Sequence, residues 1–248
     1  MSETIAKLAL GPLLLLQGHY TRWATPTLPE AFGVREGIRG EGAALRIVIV
    51  GDSAAAGVGV PSQDEALAGR LVSRLAQTHR VAWRLVARSG VDTQALLQLL
   101  AQSATDPFDI AVVSIGVNDV TSSIRLAEWR AGQGRLLDLL RDKYGVAHIV
   151  LAPIPPMHAF PALPQPLRWY LGDRARRFNQ HRYQLVSARR DCSLLVNDFP
   201  LRAELMAEDG FHPGPAIYSQ WADEAATSIH GFLNAAQGEG GARWRSAR

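Results

Sequence analysis

The sequence predicts a three-layer α/β/α protein, built on a flavodoxin-like, doubly wound parallel sheet of five strands. Three observations support this prediction. Five short apolar runs are bounded by turn residues, they are rich in β-branched side chains, and helical stretches alternate with them. Near-continuous apolar runs are typical of strands that are buried on both faces. Strands that alternate with helices form right-handed βαβ units, which place helices on both faces of the sheet.

Each predicted strand is followed by residues that are typical of turns. The five strands are ALRIVIV at 44–50, VAWRLVA at 81–87, DIAVVSI at 109–115, AHIVLA at 147–152 and SLLVN at 193–197. Helical periodicity predicts helices at 65–77, 93–102, 122–144, 166–190 and 215–233. The last of these helices begins with a proline near its first turn, where proline is tolerated.

A proline-rich segment, APIPPMHAFPALPQP at 152–166, separates the fourth strand from the fourth helix and holds six of the chain's 14 prolines. Proline fixes φ and removes a backbone donor, so the segment is predicted to be an ordered loop without regular structure. The loop begins at the carboxyl end of a strand, where open α/β sheets bind ligands. We therefore predict that Met157 and Phe160 line a substrate pocket; the alternative is that they pack into the core.

No linker or internal repeat divides the chain, so we predict a single domain at 44–236. Residues 1–43 are predicted to form an extension packed on that domain, and residues 237–248 a flexible tail. The apolar run at 8–16 is shorter than the ~20 residues needed to span a bilayer, and no small-residue cleavage site follows it. These features favour a short packed helix and a cytoplasmic location over a membrane-touching or export segment.

Composition excludes several classes of function. The 26 basic and 23 acidic residues give a net charge of only +3, and no basic stripe accompanies them, so no nucleic-acid partner is expected. Cys192 is the single cysteine, which excludes an internal disulfide and a cysteine metal site. Apart from His212, the histidines are neither clustered nor spaced as metal ligands. Neither a metal nor a cofactor is therefore expected. Nothing in the sequence indicates an oligomeric state. A run of arginines is predicted to form a solvated helical face with ion pairs: Arg168, Arg174, Arg176, Arg177, Arg182, Arg189 and Arg190.

Three residues that together suit nucleophilic catalysis follow predicted strands. Ser53 follows the first strand, and Asp209 and His212 follow the fifth. The carboxyl ends of parallel strands meet at one edge of the sheet, so these side chains are expected to converge. A serine hydroxyl needs a neighbouring base, histidine is largely neutral near pH 7, and an aspartate can fix the imidazole tautomer. The pattern predicts Ser53 as nucleophile, His212 as base and Asp209 as orienting acid.

Two further residues could stabilise the oxyanion that such a reaction produces. Gly90 follows the second strand and Asn118 follows the third. The backbone N–H groups of Ser53 and Gly90 and the side-chain amide of Asn118 would supply three hydrogen-bond donors. Glycine suits this position because the absence of a Cβ lets a substrate oxygen approach the backbone.

Four blocks of the sequence carry a resemblance to a known family: GDSAAAG at 51–57, Gly90, GVND at 116–119 and DGFH at 209–212. Together they resemble the SGNH hydrolases, also called the GDSL esterase/lipase family. The resemblance extends over about 47–233 and departs from the family name at Ala54, where leucine is common. It implies the same roles for the serine, histidine, aspartate, glycine and asparagine.

The resemblance implies a serine esterase that acts on a small-molecule ester, and we expect short-to-medium acyl groups. Within the same family, a lipase or lysophospholipase, a thioesterase and a carbohydrate O-acetyl esterase remain alternatives. A non-catalytic binding module is the alternative from a different class. The segment after the first strand lacks the G-x-G-x-x-G spacing of a phosphate-binding loop. It also has Ala55 where the nucleophile elbow of α/β-hydrolases has a second glycine.

Overall fold

A single sheet of six strands forms the centre of the protein in this computed structural model, which describes residues 3–196 and 202–238. Its strands lie in the order β1-β3-β2-β4-β5-β6. Strand β1 runs antiparallel to β3, and the other neighbouring pairs are parallel. The strands are β1 (Glu36–Arg39), β2 (Ala43–Gly51), β3 (His79–Ala87), β4 (Ile110–Ser114), β5 (His148–Leu151) and β6 (Cys192–Leu194).

Seven α-helices occur in the described part of the chain, most of them between strands. They are α1 (Glu3–Ala24), α2 (Leu67–Leu75), α3 (Thr93–Gln102), α4 (Val117–Thr121), α5 (Leu126–Tyr144), α6 (Leu167–Ser187) and α7 (Pro215–Gly238). Two short 3-10 helices, Met157–Ala159 and Ala203–Leu205, lie in loops.

The predicted fold class is confirmed, because the sheet is mainly parallel and helices cover both of its faces. All five predicted strands are present, although residue 197 of the last one lies outside the described residues. The structure corrects the strand number from five to six, since β1 adds an antiparallel strand at one edge. The helix predicted at 122–144 begins four residues later, as α5, and the short helix α4, which was not predicted, precedes it.

Strand β2 illustrates how the sheet builds two cores. Ile47 and Ile49 point into a cluster on the face covered by α2 and α7. Val48 and Val50 point into a second cluster on the face covered by α3 and α5. Successive side chains of a strand alternate between faces, so a strand buried on both faces must be apolar throughout.

The N-terminal helix α1 packs on the domain through α6. Leu14 is buried in a third apolar cluster, to which Leu10 also contributes. The side chain of Gln17 donates to the carbonyl of Gln165 at 2.7 Å and accepts from the N–H of Leu167 at 3.0 Å. Among residues 3–196 and 202–238, no helix combines the length and the apolar character needed to cross a membrane.

The segment 1–43 also supplies β1, so part of the predicted extension belongs to the sheet. The division of the chain into 1–43, 44–236 and 237–248 otherwise stays a prediction. Helix α7 continues to residue 238, and the rest of the predicted tail lies outside the described residues.

Candidate active site

The loop that carries Ser53 follows β2 without a gap, and its sequence explains its tight course. Gly51 pairs with β4, and a Cβ at this glycine would lie 1.9 Å from the carbonyl oxygen of Ser114. Only glycine therefore permits so close an approach. The N–H of Asp52 donates to that same carbonyl at 3.1 Å. From α7, the hydroxyl of Tyr218 shares its one hydrogen between the carbonyls of Val58 at 2.7 Å and Ala54 at 3.0 Å.

Asp52 places a buried carboxyl directly beside Ser53. Its side chain accepts a hydrogen bond from the N–H of Ala54 at 3.2 Å, which helps to shape the turn. Burial raises the pKa of this carboxyl to about 7, although the Ala54 hydrogen bond and the nearby His212 act in the opposite direction. Asp52 is therefore the acid of this site whose charge changes near neutral pH.

Asp209 and His212 belong to one tight turn, which the sequence DGFH builds locally. One oxygen of Asp209 accepts the N–H groups of Phe211 and His212, both at 2.9 Å. Gly210 adopts a φ of +61°, a conformation that other residues rarely take. The carbonyl of Gly210 accepts from the N–H of Ala162, which joins the turn to the proline-rich loop. A single turn thus holds Asp209 and His212 in a fixed relation.

The structure brings the serine, the histidine and the aspartate into one hydrogen-bonded line. Nε2 of His212 lies 2.8 Å from Oγ of Ser53, and Nδ1 lies 2.5 Å from the second oxygen of Asp209. Burial acts to raise the pKa of Asp209, but its hydrogen bonds with residues 211 and 212 outweigh burial and lower it. Asp209 is therefore ionised at neutral pH and can stabilise an imidazolium at His212.

The predicted oxyanion residues follow the two strands on either side of β2. Gly51 is in register with Ala87 of β3 and with Ser114 of β4. Gly90 and Asn118 come shortly after those two strands and are therefore at the same edge of the sheet. Nδ2 of Asn118 donates to the carbonyl of Val91 at 2.8 Å, which ties the two segments together.

An apolar cleft opens beside the serine and the histidine. Phe160 of the proline-rich loop lines the cleft and packs edge-on against Phe211 with ring centroids 5.0 Å apart; its role in binding a substrate stays a prediction. Other apolar residues of the wall are Ile154, Met206, Pro213, Ile217 and Trp221.

Met157 is placed differently from its prediction. Its side chain is completely buried in the third apolar cluster and does not line the cleft. The structure therefore contradicts the prediction of Met157 as a pocket residue. Its position on a 3-10 turn directs it toward α6, whereas Phe160 follows that turn and faces the cleft. Nothing in the local sequence distinguishes these two apolar side chains.

A buried polar network supports the segment that carries Asn118. The carboxylate of Asp119 accepts from the N–H and the hydroxyl of Thr93, and this hydroxyl accepts from Gln133 at 2.8 Å. The guanidinium of Arg182 donates to Gln133 at 2.9 Å and to the carbonyl of Ile115 at 2.7 Å. Sequence reasoning missed Arg182, because its position in the arginine-rich helix predicted an exposed side chain.

Metal ligation is a separate question for this site. In the described ranges, no three His, Cys, Asp or Glu side chains are grouped so that they could hold a metal ion.

The sequence profile of the GDSL-like Lipase/Acylhydrolase family matches residues 49–220. In a sequence search, no curated protein matches this chain. The profile extends over well over half of the chain, and the chain therefore belongs to this family.

Solved structures with a similar fold include several esterases. The psychrotrophic esterase EstA from Pseudoalteromonas sp., solved with monoethylphosphonate as inhibitor, is 21% identical with a TM-score of 0.57, over 76% of this chain and 98% of that chain. A carbohydrate esterase family 2 enzyme from Corynascus thermopiles (Myceliophthora fergusii) is 17% identical with a TM-score of 0.62, over 84% of this chain and 69% of that chain. The acetylxylan esterase Axe2 from Geobacillus stearothermophilus is 18% identical with a TM-score of 0.53, over 76% of this chain and 95% of that chain. At these identities the likeness concerns the fold.

Proposed function

We propose that this chain is a serine esterase that hydrolyses carboxylic esters of short-to-medium acyl groups. The observation that carries the proposal is the hydrogen-bonded line from Ser53 Oγ through His212 to Asp209, with distances of 2.8 and 2.5 Å. A serine next to a base that is itself oriented by a carboxylate is the arrangement that nucleophilic acyl transfer needs. Membership of the family supports the same reaction class.

In the proposed reaction, His212 takes the proton of Ser53 while the serine oxygen attacks the ester carbonyl. The negative charge that develops on the carbonyl oxygen is stabilised by the N–H groups of Ser53 and Gly90 and by the amide of Asn118. An amide nitrogen carries two hydrogens, and the bond to Val91 uses one of them, which leaves the second for the oxyanion. His212 then protonates the leaving alcohol, and water releases the acyl group by the reverse proton transfers.

The apolar cleft supports the choice of acyl groups longer than acetate. Each buried methylene is worth at most ~0.8 kcal/mol, or roughly fourfold in kcat/KM. The wall that includes Phe160 and Ile154 provides such burial beside the nucleophile. A chain that outgrows the cleft gains nothing further, so kcat/KM is expected to rise from acetate to medium-length esters and then level off or fall.

The proposal is tested with a series of p-nitrophenyl esters from acetate to palmitate, and with a thioester and an acetylated sugar as competing substrates. Wild-type protein is expected to favour medium acyl esters, and Ser53→Ala is expected to lose about 10⁴ in kcat. A p-nitrophenyl alkylphosphonate should phosphonylate Ser53 with release of p-nitrophenol, and mass spectrometry should detect the covalent label. If Ser53→Ala retained wild-type activity, the serine mechanism would be wrong; an inactive wild-type protein that still bound these ligands would indicate a binding module.

A further inference from the structure

Residues from the N-terminal segment run along the same sheet edge as the candidate active site. The N–H of Phe32 donates to the carbonyl of Pro61 at 3.0 Å, and the N–H of Gln63 donates back to the carbonyl of Phe32 at 2.8 Å. The N–H of Ala31 donates to the carbonyl of Ala56 in the loop after the nucleophile at 3.3 Å. This segment precedes residues 49–220, which match the family, so the family resemblance assigns no role to it.

The turn that contains Gly90 has a conformation that decides where its N–H points. Gly90 occupies the third position of the turn 88–91 with a φ of +79°, which is the value of a type II turn. Type I and type II turns differ mainly by inversion of the peptide between the second and third residues. Here that peptide joins Ser89 to Gly90 and contains the N–H proposed as an oxyanion donor. The direction of this N–H therefore depends on the turn type.

Packing and the internal hydrogen bond hold this turn only weakly. A Cβ at Gly90 would meet no atom within 4 Å, and residues 88–90 are exposed. The hydrogen bond that closes the turn, from the N–H of Val91 to the carbonyl of Arg88, is long at 3.5 Å. The geometry of the turn therefore depends on contacts that its backbone makes with residues outside the turn.

Glu30 supplies a strong hydrogen bond to this turn. One of its oxygens accepts the N–H of Ser89 at 2.6 Å, and the other accepts from the guanidinium of Arg35 at 2.5 Å. Arg35 also donates to the carbonyl of Ala87, the last residue of β3, at 2.8 Å. Burial acts to raise the pKa of Glu30, but its hydrogen bonds with Ser89 and Arg35 outweigh burial and lower it. The carboxylate is therefore charged at neutral pH, and hydrogen bonds to a charged acceptor are stronger than neutral ones.

We propose that Glu30 is a positioning residue: it fixes the Arg88–Ser89 peptide through the N–H of Ser89 and thereby anchors the next peptide, Ser89–Gly90, with its N–H directed toward the oxyanion. This inference rests on the proposed esterase function. Glu30 contacts Ser89 and not the reacting atoms, so it acts through the turn. Its contribution appears only when negative charge develops on the carbonyl oxygen, and it should therefore affect kcat rather than KM.

The test compares Glu30→Ala and Glu30→Gln with Glu36→Ala as a matched control. Glu36 also forms an ion pair with an arginine, at 2.8 Å from Arg84, but it lies on β1, away from the turn. Loss of one oxyanion donor costs about 10²–10³ in kcat, so a misoriented donor in Glu30→Ala should cost about 10–100-fold, with KM little changed. Glu30→Gln keeps an oxygen that can accept the Ser89 N–H and should recover most of this loss. Glu36→Ala should resemble the wild-type protein.

A second readout separates this role from general stabilisation of the fold. A trifluoromethyl ketone that forms a tetrahedral adduct with Ser53 places an oxyanion in the same position as the transition state. In Glu30→Ala its inhibition constant should rise by about the same factor as kcat/KM falls. A Glu30→Ala kcat within threefold of Glu36→Ala would overturn the proposal, and so would a lower kcat with unchanged ketone affinity. Failure of the esterase function itself would appear separately, as wild-type activity that does not depend on Ser53.

Discussion

At the scale of single residues, Asp52 and Asp209 show how environment separates two neighbouring carboxyls. Asp209 accepts three hydrogen bonds within its own turn, and its pKa is lowered. Asp52 accepts one hydrogen bond, and burial raises its pKa to about 7. Of the two, only Asp209 is fully charged at neutral pH, which suits a group proposed to stabilise a cationic histidine.

The raised pKa of Asp52 predicts a pH-dependent stability. Between about pH 4 and pH 7 the folded protein keeps a proton on Asp52 that the unfolded chain releases, so the free energy of unfolding falls as pH rises. Asp52→Asn removes this contribution. The free energy of unfolding of the variant minus that of wild type should therefore rise by up to about 4 kcal/mol as pH is raised from 4 to 8.

Urea unfolding at several pH values measures this difference. Asp64→Asn is a suitable control, because Asp64 is exposed in the following segment. Parallel stability profiles for wild type and Asp52→Asn would show that Asp52 does not titrate in this range.

Residue types and their order predicted much of the candidate site. Ser53, Asp209 and His212 follow strands in the chain, and parallel strands end at one edge, so their convergence could be expected. The contact of Glu30 with Ser89 could not be expected from the sequence. It joins residues 59 positions apart, and nothing in the local pattern around Glu30 distinguishes it from a solvated glutamate.

At the scale of elements, the proline-rich loop separates part of the cleft wall from the loops that carry the catalytic candidates. It starts at the carboxyl end of β5, contributes Phe160 both to the cleft and to the third apolar cluster, and contributes Met157 to that cluster without exposing it to the cleft. The catalytic candidates lie on other loops. Changes in this loop should therefore alter acyl preference and stability without removing the nucleophile.

Phe160 and Met157 form a matched pair for a test of this separation. Phe160→Ala should enlarge the cleft and shift the preferred ester toward longer acyl groups, while acetate hydrolysis survives. Met157→Ala should leave the acyl profile unchanged and cost about 2–5 kcal/mol of stability, because it creates a cavity in the core. The measurements are kcat/KM over the ester series and urea unfolding. Identical acyl profiles for the two variants would contradict the assignment of Phe160 to the cleft.

The strand β1 could not be predicted from the sequence. The four residues EGIR are all exposed, with no apolar alternation, so no pattern marks them as a strand. Their pairing with β3 is decided by an available sheet edge, which is a property of the folded protein. The five apolar strands, in contrast, have a pattern that reflects burial on both faces.

At the scale of the whole molecule, Arg182 connects several elements through one buried guanidinium. From α6 it reaches the carbonyl that follows β4, the carbonyl of Ala152 after β5 at 2.6 Å, and Gln133 of α5. Burial lowers the pKa of Arg182 to about 10, which still leaves it charged at neutral pH. Its charge lies near Asp52 and Asp119, so it links the layers of the fold to the segments around the site.

Replacement of Arg182 should therefore destabilise the protein strongly. Arg182→Met leaves three buried acceptors without their donor and should cost about 3–5 kcal/mol. Arg176 of the same helix is exposed and pairs with Asp173 at 3.2 Å, so Arg176→Met should cost less than about 1 kcal/mol. Urea unfolding of both variants measures the contrast. Equal stability of the two variants would mean that the buried network contributes little.

The short strand β1 has a consequence for solubility. Without it, the nine-residue β3 would be an outer strand with free N–H and C=O groups, to which another chain could add. β1 covers residues 81–84 of β3 and is fixed by hydrogen bonds from Arg84 to Glu36 and from Arg39 to Ser73, both at 2.8 Å. The new outer strand is only four residues long and has a charged residue at each end. Such an edge disfavours strand addition, so the N-terminal segment protects the sheet against aggregation.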